Sequence, residues 1–276
     1  MRSESTERTL TVQGVEIPKL GFGTWEITGP EASEAVRDAL QLGYRHIDTA
    51  RAYGNEAEVG RGLADSSVER GEIFLTTKLW YSRLRPAEVR EQLEESLRDL
   101  GTDYVDLLLI HWPNPDVPLG QTLRVMGELR DEGKLRHLGV SNFPGALVRE
   151  ALELEPIIAD QVEYHPYLAQ PELLALARER DLMLTAYSPF AHGALLDDRV
   201  LWEVGDAHGK SAAQVALRWL LDQPHVAAIP KASSHANRAA NLDVFDFELD
   251  DEQRGAIASL ARGQRTADPS WAPVWD

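Results

Sequence analysis

Eight short aliphatic or β-branched runs alternate with amphipathic stretches along this chain, and few folds can satisfy such a pattern. The runs are KLGFG (19–23), RHIDT (45–49), IFLTTK (73–78), VDLLLIH (105–111), LRHLGVS (135–141), IIADQVEY (157–164), LMLTAYS (182–188) and VAAIPK (226–231). Several are apolar on nearly every residue, so both faces of those strands must be covered. Between them, Pro86–Leu100 sets Val89, Leu93, Leu97 and Leu100 on one helical face, opens on a proline and stops at Gly101. Glu31–Leu42 groups Ala35, Val36, Ala39 and Leu40 in the same way. Asn55–Val68, Thr122–Glu132, Gly145–Leu154, Pro171–Arg180 and Ser211–Leu221 share this spacing. The pattern predicts an α/β fold, a (β/α)8 TIM barrel, with residues 1–276 as a single domain. TLTVQGVEIP reads as an N-terminal β-hairpin turning at Gly14, Asp250–Arg262 as an extra C-terminal helix, and GQRTADPSWAPVWD as an irregular tail. An open doubly wound sheet is the runner-up, but no G-x-G-x-x-G follows an early strand.

Parallel barrels carry their working residues at the carboxyl ends of the strands. Asp48, Lys78, His111, Asn142, Gln161, Tyr187, Ser188 and Lys231 all stand there or one residue beyond, with Tyr53 in the loop after Asp48. Any one of them alone is more often a cap or a satisfied hydrogen-bonding group; their coincidence across most strands favours a site. A buried Lys–Asp pair can lower the pKa of a neighbouring phenol, and an imidazole can orient a carbonyl oxygen, so this set predicts a carbonyl-reducing proton donor. Trp25, Trp80 and Trp112 follow the same strand ends and read as apolar walls of a substrate mouth, with core packing as the alternative. Trp271 and Trp275 in the tail either cover apolar surface or line that mouth.

Composition narrows the partners. The net charge of -17 leaves no basic stripe for a phosphate backbone, so no nucleic-acid partner is expected. The absence of cysteine excludes disulfides and thiolate chemistry. His165, His192, His208 and His235 lie in separate segments, so no metal site is expected. No apolar run reaches the ~20 residues that cross a bilayer, and the polar opening MRSESTERTL lacks a signal-peptide core, so a cytoplasmic protein is expected.

The sequence resembles the aldo-keto reductase superfamily, in particular its prokaryotic 2,5-diketo-D-gluconate reductase-like members. The resemblance rests on GFGTW (21–25), IDTARAYGNE (47–56), TTKLW (76–80), LLLIHWP (107–113), LGVSNF (138–143), QVEYHPY (161–167), YSP (187–189), IPK (229–231) and FDFEL (245–249), in the family's order. It implies NAD(P)H-dependent reduction of aldehydes and ketones to alcohols by hydride transfer. Tyr53 would be the general acid, Lys78 held charged by Asp48 would depress its pKa, and His111 would position the carbonyl. The resemblance further implies that the nicotinamide stacks on Tyr187 beside Ser141, Asn142 and Gln161. Gly23, Thr24 and Asp48 would lie at the same end of the cofactor, with Ser188 and Phe190 along the pyrophosphate. Trp25, Trp80, His111 and Trp112 would meet the substrate. Brief loops after Trp112 and after the seventh strand imply an open mouth and broad tolerance for small carbonyl compounds. A monomer is the family default. A redox-sensing, nicotinamide-binding regulatory subunit is the alternative reading.

The phosphate-binding segment departs from the family pattern of a serine directly after the IPK lysine, an arginine six residues after that lysine and an asparagine ten after it. Here those positions hold Ala232, Asn237 and Asn241, while Arg238 is displaced by one residue. Lys231, Ser233, Arg238 and Asn241 remain as candidates for the adenosine end. NADPH is the expected cofactor, with NADH or dual use as the alternative.

Only five of the 28 basic residues are lysine, against 45 acidic ones, a balance suited to a salt-rich cytoplasm where a dense acidic surface is screened. A halophilic surface predicts that the melting temperature rises from low salt to molar KCl. A melting temperature indifferent to salt would refute it.

Overall fold

A computed structural model describes residues 8–275. Gly14, at φ +79°, turns the chain between β1 (Thr9–Val12) and β2 (Val15–Pro18), the antiparallel hairpin expected from sequence. Eight parallel strands follow: β3 (Phe22–Gly23), β4 (His46–Asp48), β5 (Phe74–Leu79), β6 (Val105–Ile110), β7 (Leu135–Ser141), β8 (Ile157–Glu163), β9 (Met183–Tyr187) and β10 (Val226–Ala228). Each pairs with the next in chain order. The sheet closes on itself where Leu20 bridges Ala228 and Gly23 bridges Lys231. At that seam Gly21 N–H donates to Ala228 O at 2.8 Å and Gly23 N–H to Pro230 O at 3.1 Å, so no edge is left unpaired. Gly23 is required there, because a Cβ would sit 2.6 Å from the Ile229 carbonyl oxygen.

Strand periodicity sorts side chains into two layers. Phe74, Leu107, Leu109, Met183 and Ala227 point into the barrel and pack with Leu10, Val12 and Ile17, so the hairpin closes the amino-terminal end. Their alternates, among them Ile47, Leu75, Leu79, Leu108, Ile110 and Leu184, face the helices in a second, larger apolar cluster. With one end of the barrel plugged by apolar side chains, the polar residues that alternate inward collect at the other end.

The helices are α1 (Pro30–Leu42), α2 (Glu56–Ala64), α3 (Pro86–Leu100), α4 (Leu119–Asp131), α5 (Gly145–Leu154), α6 (Pro171–Arg180), α7 (Arg199–His208), α8 (Ala212–Leu221), α9 (His235–Leu242) and α10 (Asp251–Ala258). In α3 the Glu88 side chain accepts from Arg85 N–H at 3.0 Å, and Gly101 ends the helix in the left-handed region. Burial of Val89, Leu93, Leu97 and Leu100 contributes about 1.5–3 kcal/mol for each side chain. α7 was not expected: the segment around it reads as loop, yet Asp198 caps it by accepting from Val200 N–H at 2.9 Å, and Gly209 stops it. α10 is shorter than the expected Asp250–Arg262, and the chain beyond it is irregular, as expected. No helix among the described residues is long and apolar enough to cross a membrane.

Gly139 faces inward beside a register shift in the β7–β8 ladder, where a Cβ would lie 2.6 Å from Leu109 Cδ2 and 2.8 Å from Ala159 O. Gly139→Ala is therefore expected to lower stability by about 1–3 kcal/mol, seen as a lower denaturant midpoint at unchanged slope. A midpoint equal to wild type would show that the barrel interior yields more easily than this packing implies.

Candidate active site

Inward alternation on β4 and β5 delivers Asp48 and Lys78 to the same end of the barrel, both buried. The chain then makes a single 3-10 turn, Arg51–Tyr53, closed by Gly54 at φ +64°, which carries the Tyr53 phenol back over Lys78. Lys78 Nζ donates to Asp48 Oδ1 at 2.5 Å, to Thr49 O at 2.9 Å and to the Tyr53 hydroxyl at 3.3 Å. Its three protons thus meet three acceptors. The other Asp48 oxygen accepts from Gln161 Nε2 at 2.8 Å.

His111, the residue after β6, stands edge-on to both Tyr53 and Trp80, with ring centroids 5.8 and 5.4 Å away. Burial, reinforced by the Lys78 charge, holds its pKa well below the ordinary imidazole range. A neutral ring able to donate one N–H results. Burial lowers the basicity of Lys78, but Asp48 and then Tyr53 outweigh it, so the ammonium is held charged.

The phenol departs from the sequence expectation. Its pKa is raised rather than depressed: burial outweighs the lowering by Lys78, and Asp48, by adding negative charge beside it, works the same way as burial. Tyr53 is therefore protonated at neutral pH, and its readiness to donate rests on the hydrogen bond from Lys78 to the oxygen that would become anionic.

A second polar chain runs along β7, β8 and β9. Tyr187 donates to Asn142 Oδ1 at 2.7 Å, Asn142 Nδ2 donates to His111 O at 2.9 Å, and Ser141 Oγ donates to Gln161 O at 2.7 Å. Asn142 is held at φ +62°, and Glu26, Ser188, Ala191 and His192 around the same opening also have positive φ.

These groups border a cavity of about 590 Å³ that reaches from Trp80, His111 and Trp112 past Tyr53 and Tyr187 to Lys231. Trp25, Gly23, Asp48, Asn142, Gln161, Ser188 and Phe190 also line it. Thr24 and Ser141 are buried beside the cavity, and the Thr24 hydroxyl has no hydrogen-bond partner among the described residues. A buried donor left over at this position fits a polar ligand that completes it. Ser233 is exposed and Asn241 buried, both off the cavity lining.

Arg238 is drawn elsewhere. Its guanidinium is buried, donating to Asp38 Oδ2 at 2.6 Å and to the carbonyls of Ala232 and Ser233 at 3.0 and 2.9 Å. It braces the segment after Lys231 from beneath, an outcome fixed by Asp38 on α1 and invisible in the local motif.

Part of the tail crosses the mouth. Ala267 lines the cavity, Trp271 stacks on Tyr81 at 5.0 Å and meets Trp80 edge-on, and Trp275 packs against Trp112. The tail is tied down by Glu163, a buried residue that the motif QVEYHPY contains but that carried no expected role. Its carboxylate accepts from Thr266 N–H at 2.9 Å, Thr266 Oγ1 at 2.5 Å and Ala267 N–H at 2.8 Å, and it meets His165 Nε2 at 2.9 Å. Asn55 and Gln92 are two further supports that sequence reasoning missed. Asn55 Nδ2 donates to the carbonyls of Thr24 and Ile27, both at 2.9 Å, and Gln92 Oε1 accepts from Trp80 N–H at 2.8 Å.

The model of the Aldo/keto reductase family matches residues 19–262. The chain is 42% identical over 255 residues to an aldo-keto reductase of Mycolicibacterium smegmatis, spanning 91% of this chain and 92% of that one. It is 42% identical over 256 residues to the glyoxal reductase of Bacillus subtilis, again 91% and 92% of the two chains. Methylglyoxal reductase DkgB of Escherichia coli O157:H7 is 38% identical over 266 residues, 94% of this chain and 99% of that one. Among solved structures, one carrying the provisional name 2,5-diketo-D-gluconic acid reductase B superposes with a TM-score of 0.96, at 44% identity, over 100% of both chains. An aldo-keto reductase of Bombyx mori in complex with NADP superposes with a TM-score of 0.89, at 33% identity, over 95% of each chain.

Burial pushes the Glu163 carboxyl up, but the bonds from His165, Thr266 and Ala267 outweigh it and hold the pKa at about 2. A depressed folded-state value stabilises the protein above the ordinary carboxylate range, and that contribution is lost as pH falls towards the folded value. Glu163→Gln is thus expected to be less stable than wild type near neutrality, with the gap closing as pH falls from about 5 to about 2. A gap of constant size across that range in chemical denaturation would rule out an ionised tether.

Proposed function

Because the chain belongs to the aldo/keto reductase family, we propose that it reduces small aldehydes and ketones to alcohols with a reduced nicotinamide dinucleotide, Tyr53 acting as the general acid. The observation that carries this reading is the Lys78 ammonium held between Asp48 Oδ1 and the Tyr53 hydroxyl beside an open cavity that His111 also borders. When bound, the cofactor supplies the hydride. The protein supplies the proton: a carbonyl oxygen gaining negative charge is a far stronger base than a phenolate, so a protonated Tyr53 gives up its proton readily. Lys78 then stabilises the phenolate left behind. His111, neutral, donates a hydrogen bond to the same oxygen and orients it. General acid catalysis of this kind contributes typically 10²–10⁴-fold, and alignment of the reacting groups supplies much of the rest.

The cofactor would lie with its ring against Tyr187, its carboxamide meeting Asn142 and Gln161, and Thr24, Ser188 and Phe190 along its length. Two observations support such a ligand: the unpartnered Thr24 hydroxyl and the run of polar groups towards Lys231. Lys231 is exposed at the far end of the cavity and is the cation best placed to meet a 2′-phosphate, with Ser233 nearby and Arg238 shaping the loop. NADPH is therefore the preferred cofactor. The walls of Trp25, Trp80 and Trp112 bound a mouth suited to small carbonyl compounds, in keeping with relatives named as glyoxal and methylglyoxal reductases. A regulatory subunit without turnover would have no use for a proton donor tuned in this way.

Tyr53→Phe is expected to lower kcat at least 10²-fold on an aldehyde panel, with NADPH Kd within about threefold of wild type. Full turnover by the variant would sink the mechanism, and equal kcat/KM with NADH and NADPH would sink the cofactor assignment alone.

A further inference from the structure

Behind the catalytic turn, on the outer face of the barrel, lies a buried carboxylate that the mechanism above does not use. Glu56, the first residue of α2, is almost wholly buried. Its Oε1 accepts from Thr77 Oγ1 at 2.6 Å, and its Oε2 accepts from Arg51 Nη1 at 2.8 Å and Ser96 Oγ at 3.0 Å. Thr77 is the outward neighbour of Lys78 on β5, and Arg51 begins the one-turn helix that ends at Tyr53. One carboxylate therefore grips the residue beside the ammonium and the turn that bears the phenol.

We propose that Glu56 is a positioning residue that sets the reach of Tyr53 to Lys78. The proposal rests on the reductase reading above and assigns the control of its central contact. The bonds form a closed ring: Tyr53 hydroxyl to Lys78, Lys78 along the backbone to Thr77, Thr77 to Glu56, Glu56 to Arg51, and Arg51 along the turn back to Tyr53. The 3.3 Å contact between phenol and ammonium is the longest of the hydrogen bonds in that ring, so it is the one most exposed to slack elsewhere.

The remaining partners of Arg51 give the displacement a direction. Its guanidinium also pairs with Asp99 and, at 3.3 Å, with Glu95, both on α3. Loss of Glu56 leaves Arg51 anchored to α3 alone, so the turn relaxes towards α3 and away from β5, drawing Tyr53 from Lys78. α2 cannot take up the slack, because it is pressed onto the end of α3 where a Cβ on Gly60 would meet Asp99 O at 2.6 Å.

The test compares Thr77→Val, Thr77→Ser and Glu56→Gln with wild type. Thr77→Val keeps the volume and removes only the hydroxyl that ties β5 to Glu56. It is expected to lower kcat about ten- to a hundredfold, the scale of a misplaced catalytic group, with KM and NADPH Kd (from quenching of tryptophan fluorescence) within twofold. The isotope effect with nucleotide deuterated at the transferred position should rise as chemistry becomes limiting. Thr77→Ser restores the hydroxyl and should restore kcat. Glu56→Gln should resemble Thr77→Val, and the double variant should be no slower than the slower single, because both break one ring. If Glu56→Gln fails to fold for want of a partner for Arg51, the two Thr77 variants decide. Wild-type kcat in Thr77→Val overturns the proposal, as does a loss of kcat that follows cofactor affinity or that Thr77→Ser leaves unrepaired. A Tyr53→Phe control separates the two readings: if it is inactive while Thr77→Val is normal, only the positioning role fails.

Discussion

A lysine ammonium and an aspartate carboxylate buried together at the mouth of a barrel are the constraint on which the site depends. Taking two such charges out of water costs several kcal/mol per ion, and their attraction offsets that only with good geometry and further hydrogen bonds. Lys78 and Asp48 meet both conditions. The ammonium donates its other two protons to a backbone carbonyl and a phenol, and the carboxylate accepts an N–H from the Gln161 amide. The same bonds that make the pair tolerable also fix where the phenol and the amide can be. The chemistry proposed for the site thus follows from satisfying a buried charge.

The two ends of the barrel divide the work accordingly. At the amino-terminal end the hairpin packs Leu10, Val12 and Ile17 against inward strand residues, and stability is gained there. At the carboxyl-terminal end, inward positions are polar and the backbone is strained: Asn142, Ser188, Ala191 and His192 hold positive φ angles that only the surrounding structure sustains. Supports of different kinds converge on this rim. Asn55 ties the loop after β3, Gln92 the loop after β5, and Glu163 the tail that brings Ala267 over the cavity. Each is a buried polar group that bonds the backbone of a loop or tail outside its own element.

Much of this was legible from local pattern. Pro86–Leu100 could be bounded to the residue, because opening proline, apolar face and terminal glycine all agree. α7 went unseen because its cap, Asp198, sits in the stretch after β9 that reads equally well as loop. At the site, the motifs identified groups that line the cavity, but the state of one residue and the place of another differ from expectation. The phenol was expected to be acidified by Lys78, whereas burial and the neighbouring Asp48 prevail. Arg238 was expected at the cofactor, whereas Asp38, 200 residues away in sequence, holds it beneath the loop.

By itself the sequence determined what depends on neighbours along the chain: the alternation of strands and helices, the closed parallel barrel it demands, and the residue types gathered at the strand ends. Period-two alternation decides which side chains face inward, and that is readable one strand at a time. Only the tertiary structure decided how deeply each group is buried and which distant partner it meets, such as Thr266 for Glu163 or Arg51 for Glu56. Burial sets the cost of a charge and partners offset it, so protonation and reach are properties of the assembled barrel.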